Sequence, residues 1–128
     1  MKKREVKTDR APNPVGPYSQ AVIAGDFVFC SGQIALNQST GAMVDGDIES
    51  ETMQVMENLK AVLESAGSSL DSVVKTTIFL GDMDDFARVN EVYGRYFGEI
   101  PPARSTVEVA RLPKGANVEI ECIAGKSG

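Results

Sequence analysis

Apolar residues recur with helical spacing in two parts of the chain, residues 49–66 and residues 83–97. Because an α-helix has 3.6 residues per turn, this spacing places the apolar side chains on one face. The pattern therefore predicts two helices that each bury one stripe. The stripes are Met53, Met56, Leu59, Leu63 and Ala66 in the first helix, and Phe86, Val89, Asn90, Tyr93 and Phe97 in the second.

Residues suited to helix ends flank these two segments. Asp47 or Ser50 could cap the N-terminus of the first helix with a side-chain oxygen. Gly67 and Gly98 follow the last periodic residue of each helix, where glycine often ends a helix.

Five shorter stretches have the alternation or the β-branched composition of strands. They are residues 19–23, 27–31, 73–80, 104–110 and 117–124. The first two flank Ala24-Gly25-Asp26 and predict a β-hairpin. Residues 1–18 contain three prolines and predict irregular structure, and residues 126–128 predict a frayed end. The order ββαβαββ predicts one α+β domain over residues 1–128, in which two helices cover one face of a mixed sheet.

Alternation along the strands also predicts which side chains are buried. In the last strand Val118, Ile120, Cys122 and Ala124 form an apolar face, and Glu119 and Glu121 point the other way. In residues 73–80 the expected shared face is Val74, Thr76, Ile78 and Leu80. Ile, Val and Phe occur on both faces of several strands, so the face without helices should meet solvent or another subunit.

Composition excludes several kinds of chemistry. The chain has a net charge of −5 and contains no histidine, so a catalytic triad built on histidine cannot form within it. Its two cysteines, Cys30 and Cys122, lie in apolar strands and are expected to be reduced and packed. The sequence contains no phosphate-binding loop and no metal-ligand motif, so we expect neither a cofactor nor a metal. No apolar run follows the charged N-terminus, so we expect a cytoplasmic protein without a membrane segment.

The candidate chemistry centres on residues 101–121. Arg104 near the start of one strand could bind a carboxylate through two parallel hydrogen bonds. Glu119 on the next strand could handle protons for a water if burial raised its pKa, and Glu121 on the same face is the competing candidate. We therefore expect the guanidinium and a carboxylate to meet in one pocket.

Three further polar residues are candidates for the pocket, and each also has a structural interpretation. Tyr18 could line the pocket or cover the first strand. Ser31 could bind a ligand or serve as a turn hydroxyl, and the adjacent Gly32 indicates a bulge or a close backbone approach. Asn90 lies on an apolar stripe and, if buried, needs a partner, which is more often a backbone group than a substrate.

Several motifs resemble those of the RidA family, also called YjgF, over nearly the whole chain. They are Gly16-Pro17-Tyr18-Ser19-Gln20, Ser31-Gly32-Gln33-Ile34, Val74-Lys75-Thr76-Thr77, Asp85-Phe86 with Val89-Asn90, Pro102-Ala103-Arg104-Ser105, Val107-Glu108-Val109-Ala110-Arg111-Leu112-Pro113, and Val118-Glu119-Ile120-Glu121. The last three are the most specific.

This resemblance implies a chorismate-mutase-like subunit and a homotrimer with active sites between subunits. It also implies cofactor-free hydrolysis of enamines and imines, such as 2-aminoacrylate and 2-iminopropionate, to 2-oxo acids and ammonia. Such a deaminase would remove reactive by-products of pyridoxal-phosphate enzymes. By the resemblance, Arg104 would hold the substrate carboxylate and Glu119 would act on the water. Tyr18, Ser31 and Asn90 would line or support the pocket, and Thr106, where the family often has cysteine, would contact substrate.

Two other functions stay open at the level of the sequence. The same pocket could bind a small carboxylate without turning it over and so regulate a partner. The family is also associated with endoribonuclease activity and inhibition of translation. Net acidity and the absence of histidine argue against that activity, because nucleic-acid binding rests on clustered Lys and Arg.

Overall fold

The computed structural model describes residues 1–126, so the predicted frayed end lies outside the described residues at positions 127 and 128. The strands are β1 (Lys3–Val6), β2 (Ala21–Ala24), β3 (Phe27–Gln33), β4 (Val73–Leu80), β5 (Ala103–Glu108) and β6 (Val118–Gly125). The helices are α1 (Ile48–Ser65) and α2 (Phe86–Gly94). No helix within the described range is long and apolar enough to cross a membrane.

The six strands form one mixed sheet in the order β1-β2-β3-β6-β4-β5. Strands β4 and β5 run parallel, and the other neighbouring pairs are antiparallel. A parallel pair needs a crossover, and α2 supplies it between β4 and β5. The predicted hairpin is confirmed as β2 and β3, and so is the α+β sheet with two helices.

The core lies between the two helices and one face of the sheet. The alternating residues Val118, Ile120, Cys122 and Ala124 are buried there, as predicted. Cys30 pairs with Cys122 across β3 and β6, and both are buried free thiols. A hydrogen bond with Cys30, together with burial, raises the pKa of Cys122, so this thiol is not an activated nucleophile.

Helix α1 begins and ends close to the predicted residues, but its buried stripe is rotated. Asp47 is the cap, since its carboxylate accepts a hydrogen bond from the Ser50 backbone, and Gly67 has a positive φ just past the end. Met53 is 45% exposed, against the prediction. The buried arc is centred on Val55 and Leu59, and residue 53 points about 140° away from that centre at 100° per residue.

A bulge changes the predicted face of β4. Val73 pairs with Ala124, and the next paired residues are Lys75 and Ile123, so Val74 is an extra residue on its strand. Such a residue reverses the alternation at the point of insertion. Val73 is therefore buried and Val74 is 50% exposed, whereas Thr76, Ile78 and Leu80 face the core as predicted.

The second helix is shorter than predicted. Residues 83–85 form a 3₁₀ turn, in which the Asp82 carboxylate accepts from the Asp84 backbone, and α2 ends at Gly94. The backbone N–H of Phe97 then donates to the Gly94 carbonyl in a tighter turn, so the helix ends before Gly98.

Strand β1 lies in the segment predicted to be irregular. It pairs only with β2, at one edge of the sheet, and three of its four residues are exposed. An exposed edge strand needs no apolar alternation, and charged residues at an edge discourage association with other sheets. The Lys-Arg-Glu sequence therefore carries no recognisable strand signal.

Candidate functional site

Arg104 lies on the helix-facing side of β5, beneath α2. One of its terminal nitrogens donates to the Asn90 Oδ1 at 2.6 Å. Its guanidinium carbon is 5.6 Å from the ring centre of Phe86 and 5.1 Å from that of Tyr93. Within residues 1–126 no carboxylate lies within ion-pair distance of it. The guanidinium is thus held in place by amide and aromatic groups, and it keeps donors free for an external anion.

The residues that hold Arg104 come from one face of α2. Phe86, Asn90 and Tyr93 are spaced by four and three residues, so they are neighbours on the helix surface. Tyr93 is itself fixed, because its hydroxyl shares a 2.7 Å hydrogen bond with that of Thr76 on β4. The sequence placed all three on a core stripe; it did not indicate that the two rings would pack around a cation. The Asn90 Oδ1 accepts from the Arg104 side chain, a partner that the sequence did not indicate.

Thr106 follows Arg104 two residues along β5 and therefore points to the same side of the sheet. Its hydroxyl oxygen is buried and has no hydrogen-bond partner among the described residues. An unpaired buried hydroxyl costs free energy, so this position favours a polar partner supplied from outside the chain.

Glu119 lies on the opposite, open face of the sheet, half-buried against β3. A β-carbon on residue 32 would lie 2.8 Å from the Glu119 Cδ, so glycine at this position lets the carboxyl group lie where it does. The register between β3 and β6 shifts between Cys30 and Gln33, which confirms the bulge and the close approach predicted at Gly32. Burial, and secondarily the negative charge of Glu121, raise the pKa of Glu119.

Glu119 opens into a cleft of about 410 Å³. Ser31 and Tyr18 also line it, so three of the predicted residues come together here. The Ser31 hydroxyl donates to the Ser19 carbonyl at 2.6 Å, and the Tyr18 ring is 48% exposed. The other lining residues are Pro12, Asn13, Val15, Gln20, Gly32, Gln33, Ile34, Leu36, Pro113 and Glu121.

A buried glutamine that sequence reasoning missed holds the wall of this cleft. Gln20 is 3% exposed, and its side-chain amide accepts from the Thr8 backbone at 2.8 Å and donates to the Pro12 carbonyl at 2.9 Å. These bonds fix the segment that precedes Tyr18. A single Gln at the start of a strand gives no signal of such a role, because all its partners are backbone groups of another segment.

The structure does not bring Arg104 and Glu119 into one pocket of a single chain, contrary to expectation. Strand β4 lies between β5 and β6, and the two side chains point to opposite faces of the sheet. Arg104 is level with Cys122, so Glu119 is about 10 Å further along and two strand spacings, about 9.5 Å, across. The predicted site residues thus form two groups, Arg104 with Asn90 and Thr106, and Glu119 with Tyr18 and Ser31.

Comparison with known proteins shows that the chain has close relatives. The model of the endoribonuclease L-PSP family matches residues 8–126. A 2-iminobutanoate/2-iminopropanoate deaminase of Dermatophagoides farinae is 50% identical over 121 residues, covering 94% of each chain. The chloroplastic Reactive Intermediate Deaminase A of Arabidopsis thaliana is 49% identical over 124 residues, which are 97% of this chain and 66% of that protein.

A solved structure has the same fold over the full length. The crystal structure of a candidate endoribonuclease from Thermotoga maritima is 57% identical and superposes with a TM-score of 0.95, covering 100% of both chains. The fold and the sequence similarity therefore agree along the whole chain.

Proposed function

The chain belongs to the endoribonuclease L-PSP family, also known as the RidA or YjgF family, and we propose that it hydrolyses 2-imino acids to 2-oxo acids and ammonia. The observation that carries this proposal is the Arg104 guanidinium, which is held by Asn90, Phe86 and Tyr93 and has no carboxylate of its own among the described residues. A substrate carboxylate would supply the missing anion in a bidentate geometry.

The proposed reaction needs one water and one proton carrier. A water oxygen bonds to C2 of the imino acid as the C=N double bond becomes single, and the imine nitrogen takes up a proton. Collapse of this carbinolamine breaks the C–N bond, releases ammonia and leaves the 2-oxo acid. Glu119 would accept a proton from the water and return one to the departing amine. Its raised pKa makes it a stronger base than an exposed glutamate, which suits a group that must both take and give a proton.

We further propose that a complete site forms between copies of the chain in a homotrimer. Arg104 and Glu119 lie on opposite faces of one sheet, so a single copy cannot present both to a substrate of a few atoms. The open sheet face carries Phe27 and Phe29, which are 45% and 44% exposed and would be covered by a neighbouring copy. The carboxylate anchor of one copy would then face the proton carrier of the next.

Mixed oligomers test this arrangement directly. Arg104→Ala and Glu119→Gln chains should each be nearly inactive alone. When they are co-expressed in equal amounts, random assembly in a closed ring pairs an intact Arg104 with an intact Glu119 in about a quarter of the sites. We therefore expect co-expression to restore about a quarter of wild-type activity.

The control is co-expression of Arg104→Ala with the double variant Arg104→Ala/Glu119→Gln, a pair in which no site can contain an arginine. If the first mixture stays as inactive as this control while forming mixed oligomers by native mass spectrometry, the site does not lie between copies.

The activity itself is tested by generating 2-iminopropionate with a separate amino-acid oxidase and following its decay with and without the wild-type protein. We expect faster decay and matching release of pyruvate and ammonia. Well-folded protein that accelerates the decay of no imino acid, yet binds small carboxylates, would instead support a non-catalytic regulatory module.

The description of the family also suggests ribonuclease activity as a second candidate function. The net charge of −5 disfavours it, although five of the 13 basic residues lie within the first ten positions. RNA cleavage that persists after repurification and weakens steeply with salt would favour it over imine hydrolysis.

A further inference from the structure

Glu51 is a buried carboxylate on α1 that belongs to neither group of site residues. It is 5% exposed. Its Oε2 accepts from the Asn117 backbone N–H at 2.7 Å, and its Oε1 accepts from the Asn117 side-chain amide at 2.8 Å. No cation lies within ion-pair distance of it among the described residues.

A buried charge without a counter-ion is costly unless hydrogen bonds replace its hydration. Two features of Glu51 reduce that cost. It is the fourth residue of α1, where the helix dipole favours negative charge, and both of its carboxylate oxygens have donors. Because both donors belong to Asn117, the carboxylate fixes that residue strongly.

Asn117 is also held from the other side, at the junction that leads into β6. Its carbonyl accepts from the Gly81 backbone at 2.9 Å, just past the end of β4. Strand β6 begins at the next residue, and Glu119 follows one position later. Asn117 is therefore clamped between α1 and the end of β4 immediately before the residue that we propose to carry protons.

We propose that Glu51 is a positioning residue for Glu119: by holding Asn117 it sets where β6 begins and hence where the Glu119 carboxyl group lies above Gly32. The Glu119 carboxyl lies directly over the Gly32 backbone, so a shift in where β6 begins would move it relative to β3 and the cleft. This inference rests on the proposed imine hydrolysis for its catalytic consequence, but the structural link can be measured without it.

The test compares two substitutions at Glu51 that differ in hydrogen bonding. Glu51→Gln keeps an oxygen that can accept from the Asn117 backbone, whereas Glu51→Met has similar length and no such acceptor. We expect Glu51→Met to lower kcat about tenfold, because small misplacements of a reacting group are costly. KM should change less than about twofold, because Arg104 binds the substrate from another element. Glu51→Gln should recover most of the lost kcat.

A destabilised control separates positioning from loss of stability. Val62→Ala opens a cavity in α1 about 16 Å along the helix from residue 51, eleven residues away. Assayed well below its unfolding temperature, it should keep wild-type kcat. If Glu51→Met behaves in the same way, Glu51 is only structural and the proposal is wrong.

Two NMR measurements apply even if the protein hydrolyses no imine. Exchange of the Asn117 amide proton should be faster in Glu51→Met than in wild type. The Gly32 amide shift, which reports ionisation of the overlying carboxyl, should titrate at a different pH. Glu121 on β6 also raises the pKa of Glu119, and Lys75 on β4 lies on the same sheet face, four residues from the position that pairs with Glu119. An unchanged Gly32 titration would overturn the proposal, whereas inactive wild type with a shifted titration would overturn only the proposed function.

Discussion

Arg104→Ala should lower kcat/KM for 2-iminopropionate by about a thousandfold, because orientation of a small substrate depends on one bidentate anchor. No other cation touches the cluster of Asn90, Phe86 and Tyr93 among the described residues, so nothing nearby can substitute. Activity is measured as steady-state hydrolysis of an imino acid generated in situ. Binding is measured separately, by titrating the protein with a carboxylate inhibitor until it is saturated. Both activity and inhibitor binding should fall together.

Arg88→Ala is the matched control. Arg88 lies on α2 between Phe86 and Asn90, but its side chain is exposed and pairs with Glu49 at 2.7 Å. Its loss should leave kcat/KM close to that of wild type. Arg104→Lys keeps the charge without the planar fork and should give intermediate activity. If Arg104→Ala remains fully active, or loses activity only because its oligomer dissociates, Arg104 is a structural residue.

Glu119→Gln should lower kcat by about a hundredfold or more while carboxylate binding is retained, because general acid–base transfer contributes factors of this size. Glutamine has the same shape and still fits above Gly32, but it cannot accept and return a proton. The wild-type rate should rise with pH through the raised pKa of Glu119, and the variant should lack this rise. Equal losses of kcat and of carboxylate binding would contradict the assigned role.

The same substitution has a predictable effect on stability. A raised pKa means that the folded state binds this proton more tightly than the unfolded state does. This contribution to the free energy of unfolding is present below the pKa that Glu119 has in the unfolded state. It is lost as pH rises through the pKa that Glu119 has in the folded state. The free energy of unfolding of Glu119→Gln should therefore rise relative to wild type between acidic and neutral pH, as measured by urea titration at several pH values.

Glu121→Gln separates the two carboxylates. Removing the charge of Glu121 takes away one cause of the raised pKa of Glu119, so the rise in rate should move to lower pH while the maximal rate persists. If kcat collapsed in Glu121→Gln and not in Glu119→Gln, Glu121 would be the residue that carries the proton.

Local sequence patterns predicted most elements because their causes are local. Asp47 caps α1 through its own neighbour, Gly67 supplies a left-handed residue, and alternation buries Val118 and Ile120. The failures have non-local causes. The bulge at Val74 depends on the register in which β4 pairs with β6. Strand β1 forms because the edge of β2 is available for pairing.

The sequence by itself determined which reactive groups are available to this protein. It also determined, for each candidate residue in a strand, which neighbours share its face of that strand. Arg104, Glu119 and the glycine beneath the carboxyl group were all identifiable from residue type and spacing. Only the tertiary structure decided that β4 lies between β5 and β6, so that Arg104 meets α2 and Glu119 meets β3. The physical reason is that alternation is a property of each strand, whereas pairing depends on contacts between distant segments. The same holds for Glu51, whose role follows from a contact 66 positions away in the chain.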